Sequence, residues 1–140
     1  MRMGERRFKE SFRDAWAGIS YSILTQRNMK IHLAAAVFVL LVSKLLRLNR
    51  LELALVVFAI TLVLVAEMFN TAVEKTVDLY INTYHPGARL AKHIAAGAVL
   101  AAAINAVIIG LIVFIPHLVG SGLSNLLSVS GNLMSVILRL

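Results

Sequence analysis

The chain has 140 residues, 59% of them hydrophobic and 15% charged, with a mean hydropathy of +0.83. A soluble domain this small must cover a large surface with polar groups, and an apolar share well above the roughly 45–50% of soluble chains excludes that class in favour of a membrane protein. Fourteen Lys and Arg against seven Asp and Glu give +7, an excess that in a membrane chain sets topology and meets anionic head groups rather than nucleic acid; with no cysteine, disulfides, thiolate metal sites and cysteine nucleophiles are excluded.

The first predicted element is residues 5–26. Phe8, Phe12, Ala15, Trp16, Ile19 and Ile23 recur at helical spacing, with Arg6, Lys9, Arg13 and Ser20 off that face, which predicts an amphipathic helix lying on the membrane surface. The segment is too long and too punctuated by acids for a signal peptide. A first span is predicted over 31–47. It is shorter than the roughly 20 residues a spanning helix wants, but Lys44 and Arg47 can snorkel to the interface. Lys44-Leu-Leu-Arg47-Leu-Asn-Arg50 turns the chain into a second helix over 51–80. Asn82-Thr-Tyr-His-Pro-Gly87 is a turn signal, and a third span follows over 92–118. There Ala95, Gly97, Ala98 and Ala101 suit close helix packing, and Asn105 an interhelical hydrogen bond.

The expected fold is therefore all-α and integral to the membrane: a surface helix plus three transmembrane helices within residues 1–118. In the tail, 119–140, Ser121, Ser124, Ser128, Asn132, Ser135 and Arg139 fall on one narrow helical stripe. That suits an interfacial helix or a seam to another subunit, with disorder as the alternative. Ten basic residues lie in the N-terminal segment and the 75–92 stretch, against four in the 44–50 loop and at Arg139. The N-terminus and the 75–92 loop are accordingly expected on the cytoplasmic side of the plasma membrane.

Chemistry is expected on the second helix. Glu67, Asn70, Glu74 and Asp78 are spaced i, i+3, i+7 and i+11 and so share one face. A solvated helix end explains Glu74, Lys75 and Asp78. It does not explain Glu67 and Asn70, which follow sixteen mostly apolar residues, Leu51 to Ala66; ionisable groups so placed are functional by default. One carboxylate of such a stripe can hold Mg²⁺ with nucleotide phosphates, and another can take a proton from an alcohol. Glu67 and Glu74 are about 10 Å apart along the axis, too far to share one small ion, which suits a division into base and metal ligand. Lys92 and His93 open the third helix on the same side, where Lys92 is a poor partner for the helix dipole unless an anion also sits there; positive-inside anchoring is the alternative. His32 and His117 lie near the membrane edges and are weak metal-ligand candidates, and no phosphate-binding Gly-rich loop is present.

Glu67-Met-Phe-Asn70-Thr-Ala-Val-Glu74-Lys-Thr-Val-Asp78 resembles the signature helix of the small integral-membrane diacylglycerol kinase family, whose Gram-positive members are mostly undecaprenol kinases. Lys92-His93-Ile-Ala-Ala-Gly97-Ala-Val-Leu100, Arg27-Asn28-Met-Lys30-Ile-His32 and Tyr84-His85-Pro86 resemble its other conserved segments, over about residues 5–118. The resemblance implies ATP-dependent phosphorylation of a lipid hydroxyl at the cytoplasmic interface by a homotrimer with inter-subunit active sites. Carried over by position, Glu67 matches the catalytic base and Asn70 an active-site polar residue. Glu74 matches a Mg²⁺ ligand, Lys92 a contact to the nucleotide phosphates, and Asp78, His85 and Arg7 the nucleotide region. Two positions depart from the family. Gln26 stands where many members have a second metal-coordinating Glu, so the metal site loses a negative charge while keeping a carbonyl oxygen. His93 stands where Asp is usual, and cannot replace a carboxylate's electrostatics. The expected reaction is conversion of undecaprenol to its phosphate with Mg²⁺ and ATP. Phosphorylation of diacylglycerol is the nearest alternative, and a catalytically weak or inactive membrane scaffold the alternative from another class.

Overall fold

In the computed structural model the described residues are 3–81 and 83–137, with side chains described for 7–81 and 83–120. The described residues form four helices: α1 (Met3–Thr25), α2 (Arg27–Leu45), α3 (Arg50–Tyr80) and α4 (Pro86–Ile137). The expected all-helical architecture holds. α2, α3 and the Pro86–Gly120 part of α4 are each long and apolar enough to cross a membrane. At 1.5 Å per residue the 19 residues of α2 span about 28 Å, close to the roughly 30 Å of bilayer hydrocarbon. The 31 residues of α3 span about 46 Å, so part of α3 must project beyond that slab. No more than 22% of any span's apolar window is buried within the chain. Phe38, Phe58 and Ile112 are 67%, 61% and 68% exposed, an outward face that suits lipid or another polypeptide and not water.

The junctions follow from local chemistry. α1 and α2 are separated by the single extended residue Gln26 (φ −92°, ψ 124°), whose amide still donates to Ser22 O at 3.1 Å. Residues 7–18 of α1 are exposed, whereas Ser22 and, beyond the corner, Met29 are buried; α1 is seated on the bundle by its C-terminal end. α2 closes with Arg47 in the left-handed region at φ 55°. Arg47 N donates to Lys44 O and Leu48 N to Ser43 O, both at 3.2 Å, the paired bonds of a Schellman turn. Glycine is the usual residue at that position, so the sequence alone shows only a basic turn.

Asn49 then starts α3. Its Oδ1 accepts from Leu51 N and Glu52 N at 2.9 and 3.0 Å, and Glu52 Oε2 accepts from Asn49 N at 2.8 Å, closing a reciprocal capping box. The same Glu52 oxygen lies 3.1 Å from His117 Nε2 of α4, tying this end of α3 to α4. Replacing the cap, Asn49→Ala, is expected to cost about 1 kcal/mol, read as a lower melting temperature in detergent.

α4 begins at Pro86, six residues before the expected start at Lys92. Pro86 occupies the first helical position, where its missing N–H costs nothing. His85 Nδ1 accepts from Gly87 N (3.2 Å) and Ala88 N (3.4 Å), doing the work of a conventional N-cap. Imidazole is an unusual cap, so the Pro-Gly pair reads as a turn when it is in fact the first turn of a helix. At the other end the helix continues through Pro116 to Ile137; the polar stripe expected on Ser121–Arg139 concerns side chains outside the described residues.

α3 runs antiparallel to α2 and α4. α3 and α4 pack closely along their lengths, α2 packs on α3 and touches α1, and among the described residues α2 and α4 do not meet. The gap between them is a groove of about 470 Å³ floored by α3 and lined by Ala35, Ala36, Ala59, Ala103, Ala106 and Gly110 together with larger, mostly aliphatic side chains.

Candidate functional site

The buried residues of α3 are Val56, Ala59, Val63, Glu67, Asn70 and Thr71. Their spacing places them on one line; Val56, Ala59 and Val63 floor the groove, Glu67 follows one turn beyond it, and Asn70 lines a second hollow between α3 and α4. The line is aliphatic as far as Val63 and polar from Glu67 onward. Along the 17 residues from Arg50 to Ala66 α3 climbs about 25 Å, nearly the hydrocarbon thickness, so Glu67 sits where oil gives way to polar surroundings.

Glu67 is 2% exposed, Asn70 5% and Thr71 4%. The Glu67 carboxyl faces Asn28 and His32 of α2 and, along its own helix, Glu74. Its Oε2 and the Asn70 Oδ1 are buried with no hydrogen-bond partner. Orphaned buried acceptors are rare and costly, at roughly 1–3 kcal/mol each, and two of them side by side at the foot of an apolar groove mark a place built to receive a donor or a cation. Thr71 Oγ1 donates to the Glu67 carbonyl at 2.9 Å, which satisfies the hydroxyl within the helix. Asn70 Nδ2 donates to Glu74 Oε1 at 3.2 Å and so orients the half-buried Glu74 carboxylate.

Farther along α3, Asp78 pairs with Lys92 of α4, across the turn that joins the two helices. The pair gathers a carboxylate and an ammonium beside the Glu74 face. Lys92 is thus held from the side, and it stands six residues inside α4 instead of opening it, so the expectation of an anion at a helix start beside Lys92 does not hold.

The remaining expected residues are placed differently. Gln26 is half-buried at the α1–α2 corner, and its Nε2 lies 3.5 Å from Thr25 Oγ1. His85 is exposed and caps α4. His93 and Arg7 are exposed. Asn28 and His32 enter the sequence reading only within a segment that resembles the family and, for His32, as a weak metal-ligand candidate, although their spacing of four puts both on the α2 face that meets Glu67.

Among the described residues no three His, Asp or Glu form a metal cluster. Mg²⁺ asks for less: one or two carboxylates, with water and substrate phosphates completing its shell. The Glu74 carboxylate beside the unpartnered Asn70 Oδ1 is an all-oxygen donor set of that kind.

The profile of the family described as prokaryotic diacylglycerol kinase matches residues 13–114. A diacylglycerol kinase of Synechocystis sp. is 47% identical over 109 residues, covering 77% of this chain and 62% of that protein. An undecaprenol kinase of Bacillus subtilis is 42% identical over 112 residues, covering 80% of this chain and 91% of the relative. The match to the cyanobacterial protein thus spans less than two thirds of its length, and that to the Bacillus protein nearly all of it. With its signature helix carrying Glu67, Asn70, Glu74 and Asp78 inside the matched region, the chain belongs to the prokaryotic diacylglycerol kinase family.

Proposed function

We propose that the chain phosphorylates a membrane lipid alcohol with ATP, and that undecaprenol is its substrate. The observation that carries the reading is the buried Glu67 carboxyl, its Oε2 without a partner, one turn beyond the end of an aliphatic groove. A lipid chain lying over Val56, Ala59 and Val63 brings its hydroxyl to Glu67 without leaving hydrocarbon. Glu67 takes the hydroxyl proton, the alcohol oxygen bonds to the γ-phosphorus, and the bond from that phosphorus to the bridging oxygen breaks, releasing ADP. Asn70 holds Glu74 in place, and Lys92 offers its ammonium to the phosphates. Glu74, with Asn70 Oδ1, would hold Mg²⁺, which supplies charge neutralisation for the phosphates. Phosphoryl transfer is mostly positioning and electrostatics, so this short set suffices.

Undecaprenol is preferred over diacylglycerol because the Bacillus relative so named matches over nearly its whole length. The N-terminus, the 75–92 stretch and the nucleotide site lie on the cytoplasmic side, with α1 on the membrane surface, where Phe8, Phe12 and Trp16 are exposed in one row. A homotrimer with sites shared between subunits is the fitting assembly, since the groove is open and three thin helices cannot enclose it.

The deciding experiment is ³²P transfer from ATP to a panel of purified lipids. Phosphorylation of undecaprenol ahead of diacylglycerol supports the reading; preference for diacylglycerol replaces the substrate, and no transfer to either leaves the scaffold. A second variant tests the groove itself. At Gly110 an added Cβ meets nothing nearer than the Phe114 ring at 3.9 Å, so Gly110→Leu fills the groove without a backbone clash. It is expected to raise KM for the lipid about tenfold or more, equivalent to roughly 1.4 kcal/mol of lost chain burial, with KM for ATP unchanged.

A further inference from the structure

Two lysines lie near the acidic face of α3, and the structure disposes of them differently. Lys92 pairs with Asp78. Lys75, the residue after Glu74, has its ammonium 5.9 Å from the centre of the Tyr21 ring of α1, within the reach of a cation–π contact. On a helix Lys75 is a neighbour of Asp78 at i, i+3 and would otherwise turn toward the carboxylates. Among the described residues Glu74 has no ion pair, and its carboxylate is engaged by the neutral Asn70 amide. Tyr21 lies near the end of α1 that is seated on the bundle, next to buried Ser22, and is itself 46% exposed, so its contact with Lys75 is made at the protein surface.

We propose that Tyr21 is a positioning residue that holds Lys75 away from the acidic face and so keeps Glu74 available to a divalent cation. The role rests on the reading of Glu74 as the cation-holding carboxylate given above. Without the ring, Lys75 joins Lys92 beside Asp78 and Glu74, and a second ammonium competes with the metal for the same carboxylates. Tyr21 itself touches neither metal nor substrate. Its hydroxyl has no part in the effect; the face of the ring does.

The test measures Mn²⁺ binding to the full-length protein in detergent by electron paramagnetic resonance, alongside the Mg²⁺ dependence of lipid phosphorylation. Tyr21→Leu is expected to weaken Mn²⁺ binding and to raise the half-saturating Mg²⁺ concentration about two- to fivefold, the worth of one exposed cation–π contact. Tyr21→Phe should match the unsubstituted protein in both. Lys75→Met should bind Mn²⁺ at least as well as the unsubstituted protein, and adding it to Tyr21→Leu should restore binding. The proposal is overturned if Tyr21→Leu leaves Mn²⁺ binding unchanged, if Phe is as harmful as Leu, if Lys75→Met weakens binding or fails to restore it, or if the unsubstituted protein shows no saturable Mn²⁺ binding. A protein that binds Mn²⁺ in this pattern but phosphorylates no lipid would sink the kinase reading and leave this one standing.

Discussion

Glu67→Gln is expected to reduce kcat for lipid phosphorylation by about 10²- to 10⁴-fold, the usual worth of a positioned general base, while the protein stays folded. The amide is nearly isosteric and cannot accept the hydroxyl proton. The same change should leave the melting temperature equal or higher. At 2% exposure with one oxygen orphaned, Glu67 is a group whose burial the fold compensates only in part, because a buried carboxylate is costly unless its oxygens are satisfied. A residue whose removal destroys turnover and relieves the fold is kept for chemistry. A large loss of stability with activity falling only in proportion would instead make Glu67 a packing residue, and the base would have to be sought elsewhere.

Glu74→Gln carries the second-largest expected effect, a fall of about 100-fold or more in kcat/KM for Mg²⁺–ATP, in line with the loss of a carboxylate that neutralises transferring phosphates. The partner amide discriminates the cause. Asn70→Ala removes the hydrogen bond that orients Glu74 at 3.2 Å but leaves the charge, and should cost about 10- to 100-fold, as outer-shell contacts to metal ligands do. Titrating Mg²⁺ separates the two: excess metal should recover much of the Asn70→Ala activity and little of the Glu74→Gln activity. Equal recovery in both would place the metal on other residues.

The parts of this architecture that depend on spacing along one helix were legible in the sequence. Glu67, Asn70, Glu74 and Asp78 share a face because 3.6 residues make a turn, and a carboxylate after sixteen apolar residues needs no tertiary information to be conspicuous. What depended on pairing between helices was not legible. Nothing in the order of residues says that Asn28 and His32 meet Glu67, that Lys92 turns to Asp78, or that Lys75 leans on Tyr21. The boundaries missed were those made with uncommon residue types. Arg47 takes a position that glycine usually fills, and His85 supplies a cap usually made by Ser, Thr, Asp or Asn, so compositional rules moved the start of α4 to Lys92.

The line of buried residues along α3 changes character once, between Val63 and Glu67. A surface of that kind would gauge altitude in the bilayer in addition to the fit of the trailing chain. An alcohol whose oxygen floats at the level of Glu67 is presented to the carboxylate, and one whose oxygen rides higher or lower is not. Selectivity among greasy alcohols would then follow bilayer thickness, so that host membranes with shorter or longer acyl chains retune the reaction without any substitution in the protein.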